Sequence, residues 1–154
     1  MSTIDEVYRK FGETSEVAQL IETELGTLLL LVQCGSEHLF DEPDPPRAQE
    51  LLRDVNKSTL GQLLRRLKNE RSINLDEELM QEALDFRNLL AHAFFRIHNN
   101  RRNSQEGRSI MFNDLQFMHD KLLMAYKALM LVSGIDLDQL VKEDVCLPTK
   151  HLPI

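Results

Sequence analysis

Arg87-Asn88-Leu89-Leu90-Ala91-His92 gathers three side chains of complementary chemistry into six residues. An imidazole titrates near neutral pH, which general acid–base catalysis requires. A guanidinium presents a planar fork of donors suited to phosphoryl oxygens, and a carboxamide both donates and accepts hydrogen bonds. Four further arginines follow closely, Arg96, Arg101, Arg102 and Arg108. This combination points to work on an anionic ligand.

These residues fall in a segment with helical periodicity, expected to start at Asn74–Leu75–Asp76 and to run to about His98. One stripe, Leu79, Ala83, Phe86, Leu90, Phe94 and Ile97, is a core face. A second, Asp85, Asn88, His92, Arg96 and Asn99, is wholly polar, and Asn88 and His92 stand one turn apart on it. Arg87 points about 100° away from Asn88 and about 140° from His92 at 3.6 residues per turn. Arg87 and His92 therefore meet only if the helix bends, if the guanidinium reaches around, or if the histidine comes from a second subunit. The plainer alternative is a satisfied surface histidine with Arg87 and Asn88 tying the helix to a neighbour. The concentration of arginines around the histidine favours chemistry.

The elements that would position these groups are helical. Leu is abundant, Trp is absent and only six residues are Gly, a balance that favours helix over sheet. A short helix is expected over about Ile4 to Phe11, ended by Gly12. A second, capped by Thr14 or Ser15, runs to about Cys34 along Val17, Leu20, Ile21, Leu25, Leu28 and Val32, with Gly35 as its C-terminal cap. Asp41–Pro46 reads as a stiff acidic loop. Helices resume over about Arg47–Val55 and Thr59–Lys68, the latter capped by Ser58 or Thr59. After a basic loop, Asn99 to Arg108, the last long helix spans about Met111 to Ser133, with Leu115, Met118, Leu122, Ala125, Leu129 and Val132 at a 3-4-3-4-3 spacing and Gly134 as its stop. IDLDQL adds a short helix, and the final VCLPTKHLPI is expected to be extended. The 154 residues read as one all-α domain.

Charge is unevenly distributed. The net charge of −7 argues against indiscriminate nucleic-acid binding, yet Arg87 to Arg108 holds five arginines against Glu106 alone, and Arg47 to Arg71 holds seven basic residues against three acids. Two basic segments on an acidic body can focus an anion where they converge. Cys34 and Cys146 are too few for a disulfide framework, which points to a reducing compartment. The N-terminus is polar, and the longest apolar run, Leu25 to Val32, is eight residues against the roughly 20 of a membrane span. The reading is a cytoplasmic protein without a membrane segment.

The Arg-Asn-x-x-x-His hexad resembles the Arg-x(4–6)-His motif of the HEPN superfamily, in which Asn commonly follows the Arg. Ser58-Thr59-Leu60-Gly61-Gln62-Leu63 resembles the helix that precedes the motif in some members, and the likeness covers roughly residues 14 to 133. It implies an up-and-down bundle of four to five helices, a homodimer that brings two motifs together, and a metal-independent endoribonuclease of the toxin or defence type. On that resemblance His92 is the general acid/base for attack of a ribose 2′-OH on the adjacent phosphate, Arg87 stabilises the phosphoryl oxygens and Asn88 orients phosphate or His92. Arg96, Arg101, Arg102 and Arg108 would hold the RNA backbone with salt-dependent contacts. A cognate antitoxin or regulatory protein is the implied partner. One branch modifies a Tyr two residues after the His; Phe94 stands there and has no hydroxyl. Many relatives are inactive dimerisation or regulatory modules, and that is the alternative function.

No cofactor is implied. His38, His92, His98, His119 and His151 lack metal-site spacing, His119 reads as solvent-facing, no hydrolase triad or phosphate-binding Gly loop is present, and the aromatics lie mostly on core stripes rather than on a base-stacking platform.

Overall fold

Ile4, Val7, Phe11, Thr14, Ala18, Ile21, Leu25 and Leu28 recur at threes and fours without a break. In a computed structural model of the protein, which describes residues 2–70 and 73–142, they line the inward face of a single helix, α1 (Ile4–Ser36). The expected division at Gly12 does not occur. Gly12 lies exposed on the helix, where glycine costs only about 1 kcal/mol relative to alanine, and burial of the seam on both sides outweighs it. Thr14, fully buried, caps nothing; its hydroxyl donates back to the Lys10 carbonyl at 2.7 Å. The true cap is Thr3, in a reciprocal capping box with Glu6.

Gly35 likewise is not the C-terminal cap. The helix runs one residue past it, and His38 takes the left-handed conformation (φ 56°). The Leu39 N–H donates to the Cys34 carbonyl and the His38 N–H to that of Gly35, the paired bonds of a Schellman ending. Gly134 (φ 80°) closes the last long helix in the same way, as its sequence position predicts.

The remaining elements are α2 (Pro45–Lys57), α3 (Leu60–Lys68), α4 (Glu77–His92), α5 (Phe94–Ile97), a 3-10 turn (Arg101–Asn103), α6 (Gln105–Val132) and α7 (Leu137–Lys142). α2 starts two residues before Arg47, because Asp44 caps it and Pro45 and Pro46 fill the first turn, where a missing N–H is no loss. Thr59 caps α3 with Gln62 as its reciprocal partner, and Asp76 caps α4. α6 begins at Gln105 behind a Ser104 cap, so Arg108 lies in a helix rather than in a basic loop. Met111, Leu115, Met118, Leu122, Ala125 and Leu129 are buried along α6, whereas Val132 is exposed. Arg71, Cys146, His151 and the segment from Val145 onward lie outside the described residues.

Contacts give the topology. Glu37 of α1 pairs with Arg47 of α2 at 2.7 Å, and Gly26 of α1 admits Val55 so closely that an added Cβ would stand 3.1 Å from it; α2 thus runs against α1. Arg87 and Phe95 meet Glu22 and Tyr8, so the chain from α4 through α5 also runs against α1. Glu82 and Phe86 of α4 meet Lys121 and Phe117 of α6, again antiparallel. α1 and α6 therefore lie parallel, with Thr14 beside Leu115 and Glu24 bonded to Ser133. The result is an all-α bundle with the described chain free of strands.

α1 is also long and apolar enough, by length and composition, to cross a membrane; counting uninterrupted apolar runs overlooked this. Its buried seam is the centre of the bundle core.

The 3-10 turn packs against the first turn of α6 with no room to spare. A Cβ on Gly107 would lie 2.1 Å from the Arg101 carbonyl oxygen. Gly107→Ala must displace backbone rather than a flexible side chain, and we expect a loss of about 2–3 kcal/mol, read as a fall in midpoint in urea unfolding; an unchanged midpoint would contradict this packing.

Candidate functional site

α4 is shorter than its sequence pattern implies. It ends at His92, and Ala93 leaves helical geometry (φ −135°, ψ −20°) before α5 resumes. Phe94 then turns into the core, its ring against Phe11 and His98. The expected core stripe holds for Ala83, Leu90 and Phe94 but fails at Ile97, which is exposed. The polar stripe holds for Asp85, Asn88 and His92, all exposed. Arg96 and Asn99 lie beyond the break and do not continue it.

Arg87 faces α1, as its angle on the helix requires. Its guanidinium reaches Glu22 Oε2 at 3.4 Å and donates to Asn88 Oδ1 at 3.3 Å, and the Arg87 and Glu22 side chains are each 29% exposed. Glu22 stands at the rim of a groove of about 710 Å³ between α1, α2 and α3, with Gly26, Leu30 and Val55 in its walls. His92 is the exposed last residue of α4, and its ring has no hydrogen bond or ion pair among the described residues. The structure joins Arg87 to Asn88 and does not join either to His92. Glu22 was invisible in the sequence, since nothing local marks a partner 65 residues away.

The four additional arginines divide evenly. Arg101 Nη1 donates to His98 Nδ1 at 2.9 Å. Arg108 donates to the carbonyls of Ser2 and Arg102, both at 3.1 Å. Both are committed to holding the corner before α6. The guanidinium groups of Arg96 and Arg102 are exposed and unpartnered among the described residues.

The organising residue of that corner is His98, 4% exposed. Arginine only donates, so Nδ1 must accept, which fixes the neutral tautomer with its proton on Nε2, 3.4 Å from Asp114 Oδ2. Burial chiefly lowers the His98 pKa below its ordinary value, helped by the charge of Arg101 and opposed by that of Asp114. His119 is also more enclosed than its expected solvent-facing position, with Nδ1 buried and without a hydrogen bond. Among the described residues no group of three or more His, Cys, Asp or Glu is placed to hold a metal ion.

Comparison with family models, with curated proteins and with solved structures finds no match to this chain. The reading of the site therefore rests on its own residues.

A depressed folded-state pKa means that the unfolded chain binds the proton more readily. The stability His98 contributes is then full above its ordinary pKa of 6.5 and is lost as pH falls from there through the folded value. We expect wild type to lose stability on acidification below about pH 6.5 more steeply than His98→Gln, measured by urea unfolding across the range. Parallel profiles for the two proteins would remove His98 as the cause.

Proposed function

We propose that the protein is a metal-independent endoribonuclease of the toxin or defence type, working as a homodimer in the cytoplasm, with a cognate antitoxin or regulatory protein as partner. The observation that carries the reading is His92, an exposed imidazole with no ring partner among the described residues, at the end of a helix, one turn from Asn88 and four residues before the exposed Arg96. In the reaction, a base removes the ribose 2′-OH proton as that oxygen attacks the adjacent phosphorus. The P–O5′ bond breaks and an acid returns a proton to the leaving oxygen, giving a 2′,3′-cyclic phosphate and a 5′-OH. His92 serves as the acid or base, and a second copy supplies a second imidazole for the other step. Arg87 is the donor to the phosphoryl oxygens and Asn88 orients the phosphate.

Support for a second copy comes from α6. Ile110, Phe117, Met124 and Leu131 recur every seven residues and are all exposed, an apolar line about 30 Å long at 1.5 Å per residue. This line meets α4 at the Phe86–Phe117 contact. An apolar line of that length on the outward side of α6 supports an interaction surface there.

The Arg87–Glu22 pair favours the second reading, a non-catalytic helical dimerisation or regulatory protein. It neutralises the guanidinium that the chemistry needs and ties α4 to α1.

Two measurements separate them. RNA cleavage in chelator is expected from wild type, with a loss of about 10²–10⁴-fold in His92→Ala and of about 10²–10³-fold in Arg87→Ala. Phe117→Glu is expected to turn a dimer into a monomer in sedimentation. Intact RNA with a dimeric wild type selects the non-catalytic reading.

A further inference from the structure

Three residues beyond His92, on the far side of the Ala93 break, Phe95 lies half-exposed against Tyr8 of α1, at 41% and 46% exposure. Sequence periodicity places the aromatic residues mostly on core stripes. The structure instead leaves these two rings in water, 5.9 Å apart and inclined by 57°. Phe11 and Phe94 support Phe95 from behind, at 4.8 and 5.2 Å between ring centres. Phe95 is therefore held in place before any ligand arrives, with Tyr8 against it.

They form one wall of a cleft of about 400 Å³ completed by His98, Asn99, Arg102 and Met111. That volume lies at the small end of ordinary ligand sites. The chemistry of the walls is mixed in a particular way. Tyr8 and Phe95 offer aromatic faces. The exposed Asn99 carboxamide carries donors and an acceptor, and Arg102 brings a guanidinium that no acid among the described residues neutralises. His98 closes the floor in a fixed tautomer between Arg101 and Asp114. A ligand that matches has a flat ring, polar groups on the ring edge and a negative charge within reach of both.

We infer that this cleft holds one nucleotide of single-stranded RNA, its base stacked on Phe95 with the inclined Tyr8 ring against the base edge, and its phosphate on Arg102. The inference rests on the ribonuclease reading for its biological setting, and on the cleft alone for binding. Aromatic stacking is tolerant of base identity because every base has a π-face, so the cleft accepts any sequence. Phe95 lies at most about 11 Å from His92 between Cα atoms, three residues at 3.8 Å. A strand with one base in the cleft therefore needs to reach only a short distance to bring a phosphate to His92. Stacking and a phosphate contact are common to both nucleic acids, so single-stranded DNA binds here too, and discrimination against it comes from the reaction, which needs the 2′-OH.

The test uses full-length His92→Ala protein, which binds without cleaving, and fluorescently labelled oligonucleotides read by anisotropy. Tyr8→Leu and Phe95→Leu, both at half-exposed positions, are each expected to weaken binding about tenfold or more, while Tyr8→Phe retains it. Arg102→Gln is expected to weaken binding and to lower the slope of log K against log salt by about 0.7, the share of one phosphate contact on a single strand. Cleft variants that bind like the parent, or a parent that binds no oligonucleotide, would overturn the inference. A nucleoside monophosphate that binds as tightly as the oligonucleotide would overturn RNA as the occupant in favour of a free nucleotide. The two readings fail separately. RNA held through the cleft but never cleaved by wild type leaves the cleft standing and removes the ribonuclease. Cleavage by wild type with unaffected Tyr8→Leu and Arg102→Gln variants does the reverse.

Discussion

The parallel contact between α1 and α6 is the constraint on which the rest of the molecule depends. Val7, Ala18, Ile21, Leu25 and Leu28 on one side and Met111, Leu115, Met118, Leu122, Ala125 and Leu129 on the other are all buried, and both seams keep a 3-4 spacing over many turns. Two parallel helices in one chain cannot be joined by a short hairpin. The intervening chain must make a net passage back to the end at which α1 began, and α2 through α5 are that path. α4 lies against both seam helices, touching α1 through Arg87 and Glu22 and α6 through Glu82 and Lys121. The motif is thus carried on the element that bridges the two longest helices.

This arrangement explains why the motif splits. A helix packed on two neighbours has its side chains sorted by angle. Arg87 falls on the α1 side, Asn88 and His92 on the water side. The 3.6-residue repeat separates groups that the one-dimensional motif places together, and the chain break at Ala93 comes one residue too late to reunite them. What the break does achieve is a change of direction after His92. It buries Phe94, leaves Phe95 at the surface beside Tyr8, and directs the following segment into the His98–Arg101–Asp114 corner.

Much of this was legible in the residues. The α6 seam, the caps at Thr59 and Gly134 and the polar face of α4 through His92 follow from periodicity and from local hydrogen-bonding chemistry. The failures have a common cause, in that a local signal was overruled by a distant contact. Gly12 reads as a stop, yet the seam continues through it. Gly35 reads as a cap, yet His38 accepts the left-handed turn two residues after the α1 helix ends. At Ala93 the opposite happens, since no Gly or Pro marks a break and burial of Phe94 against Phe11 accompanies it. The Arg87–Glu22 pair, the Tyr8–Phe95 contact and the commitment of Arg101 and Arg108 to the corner each join residues distant in sequence or depend on the exact turn. No single-sequence spacing rule reaches them.

The close seating of Gly107 on the Arg101 carbonyl has a consequence for how the arginine-rich corner meets whatever it binds. A flexible basic loop loses conformational freedom on capture, and that loss offsets part of each new contact. Here the backbone from Arg101 to Arg108 is already immobilised by van der Waals closure, by the Ser104 cap and by the Arg108 bonds to Ser2 and Arg102. Capture by such a surface is a meeting of preformed shapes. Its thermodynamic signature is a small heat-capacity change, without the large negative value that accompanies folding on binding.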